Sequence, residues 1–221
     1  QSLGSKVPSE VLTQEYKNPV GGGGAQLRDN LRSALALLKD AGYELRNGKM
    51  VSAKTGTPLQ FEILLNGPTI ERVAIPFAEN LKKIGIQASV RTVDSAQYAN
   101  RVRSFDYDMI VKSYPSSLSP GIEQMGRWGS TSRDTPGSFN FAGTADPDID
   151  RLIGTMTAVR SKEDFEATVR AYDRLLISGH YMVPLYHIAD QWVARRKQIR
   201  YPETLPLYGY QLNTWWDERA Q

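Results

Sequence analysis

LQFEILLNGPTIERVAIPFAENLKKIGIQASVRTVDSAQYANRVRSFDYDMIVKSY, residues 59–114, is the stretch that decides the fold. Phe61, Ile63 and Leu65 alternate with Gln60, Glu62 and Leu64, which predicts a mostly buried strand over residues 59–65. Ile70, Val73, Phe77, Leu81 and Ile84 then recur at spacings of three and four, one apolar stripe of a helix. Pro76 sits inside that stripe and removes a backbone donor, so the helix is expected to start late or bend. Gly85 stands where a left-handed residue ends a helix. Ile86, Ala88, Val90 and Thr92 alternate with polar residues as a second strand. Asp94 with Gln97 reads as a capping-box start, and the helix it opens puts Tyr98, Val102 and Phe105 on one side. Residues 107–111 form the third strand. Strands joined by helices of this length cannot pair as hairpins, so they are expected to lie parallel through right-handed crossovers. In such a sheet the ligand crevice lies beyond the carboxyl ends of the strands. Those ends are Asn66-Gly67-Pro68 and Ser113-Tyr114-Pro115, followed by a long loop, and function is expected there.

Composition narrows the class. The 221 residues suffice for one large domain, or one domain with an appendage. The net charge of +3 is mild, and Lys and Arg are dispersed apart from a small cluster at Arg195, Arg196 and Lys197. That lacks the concentrated basic face of a nucleic-acid binder. No cysteine is present, so disulfides and thiolate metal sites are excluded. No apolar run reaches the 18 residues of a membrane span. The first residues do not read as a signal peptide, an absence without weight if the chain is a trimmed piece.

Residues 1–26 are polar and include the run Gly21-Gly22-Gly23-Gly24; with no following Gly-Lys-Ser/Thr, this reads as a flexible lead-in rather than a phosphate loop. Leu27, Leu31, Leu35 and Leu38 mark an amphipathic helix closed by Ala41-Gly42. Residues 43–53 read as a hairpin about Asn47-Gly48, and Thr55-Gly56-Thr57-Pro58 as a second turn. Residues 115–144 show little periodicity, yet Trp128, Phe139 and Phe141 argue against disorder. Asp146-Pro147 opens a helix with Ile149, Leu152, Ile153 and Met156 on its apolar face, and Ser161 with Asp164 opens another through Phe165, Val169, Tyr172 and Leu176. Residues 181–188 and 191–199 read as strands. The tail, with Trp215-Trp216, is too aromatic to be a solvated end and too irregular to form a layer of its own.

Each chemical constellation competes with a plainer reading. His180 and His187 lack a third ligand at usable spacing, so a packed or interfacial pair outweighs a metal site. Asp106 and Asp108 share one face of a strand and would suit acid–base hydrolysis, but aspartates flanking a strand more often cap or form ion pairs. No Gly-x-Ser-x-Gly elbow is present. The loop after Tyr114 is richer. Tyr114, Trp128, Phe139 and Phe141 offer flat apolar surfaces; Ser116, Ser117, Ser119, Gln124 and Asn140 offer neutral donors and acceptors, and Arg127 a cation. That is the make-up of a small-molecule site, its plain rival being a loop packed on its own aromatics.

Several motifs carry a family resemblance: Asn80-Leu81-Lys82-Lys83-Ile84-Gly85-Ile86, Val90-Arg91-Thr92-Val93-Asp94 and the run from Tyr98 to Ile110. They resemble the extracellular solute-binding proteins of peptide-type ABC importers. Ser117-Leu118-Ser119-Pro120-Gly121-Ile122-Glu123-Gln124 and Trp128-Gly129-Ser130 look like the branch that takes up oligopeptides and microcin-type peptides. Asp146-Pro147-Asp148-Ile149-Asp150-Arg151-Leu152-Ile153 and Trp215-Trp216 match as well. Family members are two-lobed and more than twice this length. The resemblance therefore implies a C-terminal fragment of an α/β periplasmic-binding-protein-like chain: lead-in 1–26, second lobe 27–181, and a return segment 182–221 that completes the first lobe. It implies cleft residues Asn66, Tyr114, Ser117, Ser119, Gln124, Arg127, Trp128 and Asn140, a peptide ligand, a membrane permease as partner, a periplasmic location and neither cofactor nor enzymatic activity. Many peptide binders carry an aspartate in this loop; Ser116-Ser117-Leu118-Ser119 stands here instead, which argues against carboxylate capture of a free N-terminus from this lobe. The intact protein is expected to be monomeric, and the fragment to bind weakly and self-associate through its tail. A hydrolase using Asp106 and Asp108, and a scaffold domain using the Trp215-Trp216 tail, are the rival readings.

Overall fold

The computed structural model describes residues 11, 13–17, 19–114, 119–186, 190–207 and 209–220. The chain divides into two compact units, Gln1–Tyr181 and Met182–Gln221.

The first unit is built around a parallel sheet. Helix α1 (Ala25–Asp40) leads into the hairpin β1 (Tyr43–Arg46) and β2 (Lys49–Ser52). Arg46 faces Lys49 across Asn47 and Gly48, at φ 50° and 76°, the two left-handed positions that a tight two-residue hairpin requires. Leu31, Ala34 and Leu38 of α1 pack on Met50, Ile84 and Ile86. Leu35 is 37% exposed, so Ala34 takes the place on the packing face that the four-residue spacing gave to Leu35.

β3 (Gln60–Asn66), a 3-10 turn (Pro68–Ile70), α2 (Glu71–Lys82), β4 (Gln87–Val93), α3 (Ser95–Arg103) and β5 (Met109–Ile110) follow. The strand order is β4-β3-β5 and both pairings are parallel, from Gln60 beside Gln87 to Asn66 beside Val93, with Ile63 beside Met109. Central β3 is covered on both faces. Ile63 and Leu65 meet Ala74, Ile70 and Phe77 on the α2 side, whereas Leu64 meets Tyr98 and Val102 on the α3 side, as a period of two demands. Each fully buried aliphatic side chain contributes about 1.5–3 kcal/mol. Asp94 caps α3 by accepting from the Ala96 and Gln97 N–H groups, both at 2.9 Å. α2 starts late, after its 3-10 turn, and runs through Pro76. β5 is two residues long rather than five, and Phe105, at φ 57°, lies past the end of α3 rather than on its face.

The expected unperiodic loop holds a short helix, α4 (Glu123–Trp128), and a 3-10 turn (Ser130–Ser132). α5 (Pro147–Ala158) and α6 (Lys162–Ser178) start where the caps predict, with Asp146 accepting from Asp148 N–H and Ser161 from Asp164 N–H. Ile149, Leu152, Ile153 and Met156 bury against Trp128, Tyr172 and Leu175.

In the second unit β6 (Ile199–Arg200) pairs antiparallel with β7 (Trp216–Asp217), and Trp215 packs against Tyr201 and Tyr210. The strands expected over 181–188 and 191–199 are corrected: residues 181–186 and 190–198 carry none. A strand needs a neighbour for its N–H and C=O groups and a surface for its apolar side, and Met182, Val183, Leu185 and Trp192, the last 95% accessible, are exposed instead.

Candidate functional site

At the carboxyl ends of the sheet, Asn66 terminates β3 and its Oδ1 accepts from the Ser95 hydroxyl at 3.1 Å. The Thr92 hydroxyl donates to Glu71 Oε1. Past β5, the Tyr98 hydroxyl donates to the Val111 carbonyl at 3.2 Å. The Lys112 ammonium lies 4.9 Å from the Tyr98 ring centre and 5.0 Å from that of Phe141. Half-buried Tyr114 stacks on Trp128, 5.2 Å between ring centres with a 30° tilt, and lies 5.8 Å from Phe141. Phe141 in turn meets Phe139, which is 62% exposed. The Tyr107 hydroxyl donates to the Phe141 carbonyl at 2.9 Å and fixes that aromatic row to the sheet. Burial, with Tyr107 nearby, pushes the Tyr114 hydroxyl up to about 12 against a smaller opposing pull from Arg127. Burial, with Tyr98 nearby, does the same to Tyr107.

The expected ligand contacts divide. Tyr114 stands beside the strand ends, Asn66 and Ser119 are exposed, and Arg127 is half-buried. Ser117 lies outside the described residues. Gln124, Trp128 and Asn140 are inside the unit, which corrects the expectation that they offer surface to a ligand. Gln124 Oε1 accepts from the Tyr172 hydroxyl at 3.0 Å, and its Nε2 donates to Glu123 Oε1. Asn140 is fully buried: its Nδ2 donates to the Gly129 and Thr144 carbonyls at 3.1 and 2.8 Å, and its Oδ1 accepts from the Thr144 N–H at 2.8 Å. Leaving such backbone groups unpaired costs about 1–3 kcal/mol each, so this amide holds the loop closed. Trp128 anchors the α5/α6 core and supports Tyr114 from beneath. Sequence reasoning missed Lys112, Tyr98, Tyr107 and Ser95. Strand alternation offered a signal for Lys112, two residues beyond Ile110 on the α3 side.

Two hollows lie at the other end of the sheet. A groove of about 780 Å³ is bordered by Asn47, Gly48, Gln60, Lys82 and Gln87. A polar recess of about 420 Å³ holds Glu62, Arg101, Asp106 and Asp108. Arg101 donates through Nε to Asp106 and through Nη1 to Glu62, both at 2.9 Å, while Asp108 accepts from the Glu62 N–H at 2.9 Å. Both aspartates therefore tie α3 and the approach to β5 to the start of β3. His180 meets the Tyr16 ring edge-on at 5.8 Å, and His187 lies outside the described residues. Among the described residues no three His, Cys, Asp or Glu side chains gather as a metal site, and no helix is long and apolar enough to cross a membrane.

Comparison with known proteins supplies the family. The profile described as bacterial extracellular solute-binding proteins, family 5 middle, matches residues 4–136, more than half of the chain. The chain is similar to the peptidoglycan-binding protein YepA of Agrobacterium fabrum, 52% identical over 97% of this chain and 35% of that protein. It is likewise similar to the probable peptide-binding protein YejA of the same organism, 43% identical over 100% of this chain and 36% of that protein. The chain thus spans about a third of the length of these curated relatives. Among solved structures, the oligopeptide-binding protein AppA of Bacillus subtilis, in complex with a nonapeptide, superimposes with a TM-score of 0.61 at 19% identity, over 68% of this chain and 30% of that one. An oligopeptide-binding protein of Thermotoga maritima gives 0.59 at 21% identity, over 77% and 31%. At that identity these two likenesses bear on the fold alone: an α/β unit with a parallel sheet that corresponds to part of a periplasmic binding protein. On the profile match and the curated relatives together, the chain belongs to the bacterial extracellular solute-binding proteins of family 5.

Proposed function

We propose that this chain is part of the substrate-binding component of an ABC transporter, which captures peptides or peptide conjugates outside the cytoplasmic membrane and delivers them to a permease. In this reading the first unit is one wall of a two-lobed cleft, and residues 182–221 belong with the opposite lobe. The observation that carries it is the aromatic row Tyr114–Phe141–Phe139, standing beyond the carboxyl ends of a parallel sheet and backed by Trp128. Flat rings with exposed amide and hydroxyl groups suit an extended peptide, whose backbone gives affinity while roomy pockets tolerate varied side chains. The relatives named for peptidoglycan and peptide binding point to the same ligand chemistry. Closure about a hinge then traps the ligand and presents it to the permease, with no covalent step. Half a cleft holds a peptide poorly. Calorimetric titration with a peptide pool is expected to give binding by the full-length protein and little or none by the 221-residue chain; equal affinities refute the reading.

A further inference from the structure

The two hollows at the amino-terminal ends of β3 and β4 lie at the opposite end of the sheet from the aromatic row, and Glu62 and Asp108 border both of them. The pairing register sets Gln60 beside Gln87 and Glu62 beside Ser89. These four share the sheet face of Leu64, the face that α3 covers. Cover stops at Glu62, which Arg101 in the last turn of α3 contacts. Gln60, Gln87 and Ser89 are therefore exposed, and Asn47 of the hairpin turn stands at the rim. Among the described residues the side chains of Asn47, Gln60, Gln87 and Ser89 make no hydrogen bond. Phe105 borders the recess on the far side, at φ 57°. Its N–H bonds the Val102 carbonyl at 3.2 Å and that of Asp106 bonds the Arg101 carbonyl at 2.9 Å, the paired bonds that close a helix on a left-handed residue. Glycine takes that place without strain, and a bulky side chain does not. No core packing offsets the strain, since Phe105 belongs to none of the apolar clusters of this unit. Strain kept without a packing gain points to a use for the ring.

We propose that the two hollows together form a second ligand site, outside the cleft, for a neutral oligosaccharide. Side-chain amides and a hydroxyl both donate and accept, as the hydroxyl groups of a sugar do, and Phe105 supplies a flat apolar surface for the C–H face of a pyranose ring. Charge argues for a neutral guest. The lining carries the carboxylates of Glu62, Glu79, Asp106 and Asp108 against the cations of Lys49, Lys82 and Arg101, and most of these are engaged with one another. Arg101 holds Glu62 and Asp106, Lys82 lies 4.0 Å from Glu79, and Asp108 accepts from the Glu62 N–H. A charged guest has to break such pairs, whereas a polyol uses the lone pairs and N–H groups they leave over. At about 780 and 420 Å³ the hollows have the size of small-molecule sites.

The test is an NMR titration of the full-length protein with triacetylchitotriose, maltotriose and trigalacturonate at millimolar concentration. At least one of the two neutral trisaccharides is expected to bind, and trigalacturonate to bind at least about tenfold more weakly than it. Phe105→Gly removes the ring and the strain together. It is expected to unfold at the same temperature or a higher one, to lose about tenfold in saccharide affinity, and to bind a peptide pool as the unaltered protein does. Gln87→Ala, an exposed change that leaves the backbone alone, is expected to lose about as much and decides the matter if Phe105→Gly fails to fold. The assignment is overturned if neither neutral trisaccharide binds, if trigalacturonate binds as tightly, or if Gln87→Ala and a folded Phe105→Gly bind saccharide like the unaltered protein, which would place the sugar elsewhere. Titration of the same samples with peptide reports on the cleft separately, so the failure of one site leaves the other standing.

Discussion

Tyr114 illustrates how much one position carries. Its ring lies on Trp128 and its hydroxyl is pushed up to about 12, chiefly by burial, so folding favours the protonated form. An unfolded tyrosine titrates near 10, so the folded state binds this proton more tightly. Stability from the site is therefore complete below about pH 10 and declines as pH rises toward 12. Tyr107 shares the direction. Tyr114→Phe keeps the stack and deletes the ionisation; urea midpoints measured from pH 9 to pH 11.5 should fall less steeply in the variant, and an unchanged slope would remove the claim that burial of this hydroxyl matters. Sequence could point to Tyr114 because a strand end in a parallel sheet is a privileged place. It could not sort Asn140 from a ligand contact, because an amide that will bind a guest and an amide that will bind its own backbone are the same residue type. The same ambiguity hid the framework roles of Gln124 and Trp128.

Among the elements, those with a sustained period were legible: β3, β4, α2, α3, α5 and α6 each repeat their apolar residues often enough to define a face. α4 has six residues and no capping side chain, too few turns for a period to show. The tail failed in the opposite sense, since apolar strand-like runs were present without the partner that turns a run into a strand. The junction from α2 to β4 is the element-level feature most exposed to a single change. Gly85 has φ 82°, its carbonyl accepts from Met50 N–H at 2.8 Å, and a Cβ there would lie 2.5 Å from Leu45 Cδ1 and 2.8 Å from Met50 N. One residue thus ends the helix, starts the strand and holds the hairpin. Gly85→Ala adds left-handed strain to a backbone collision, so a loss of about 2–4 kcal/mol is expected in denaturant unfolding. A loss below about 0.5 kcal/mol would mean that the hairpin moves freely on the sheet.

For the molecule as a whole, the two units differ in what each has to hold itself together. The first buries Ile63, Leu64, Leu65, Ile149 and Ile153 and pairs seven residues of β3 with seven of β4. The second has a two-residue pairing of β6 with β7, an aromatic contact among Tyr201, Tyr210 and Trp215, and a row of exposed apolar residues. Local opening costs little free energy where few apolar contacts and few backbone hydrogen bonds must break. Hydrogen exchange on the 221-residue chain should therefore be fast over residues 182–186 and 190–198 and slowest over residues 62–65 and 149–156. On the full-length protein the proposed function adds a second expectation. If residues 182–221 belong with the opposite lobe, their N–H groups gain strand partners there and the apolar side chains gain cover, so exchange over 190–198 slows by several orders of magnitude while that of β3 barely changes. Exchange that stays equally fast in both proteins would detach this segment from any lobe and leave the exposed row of Met182, Val183, Leu185 and Trp192 without its explanation.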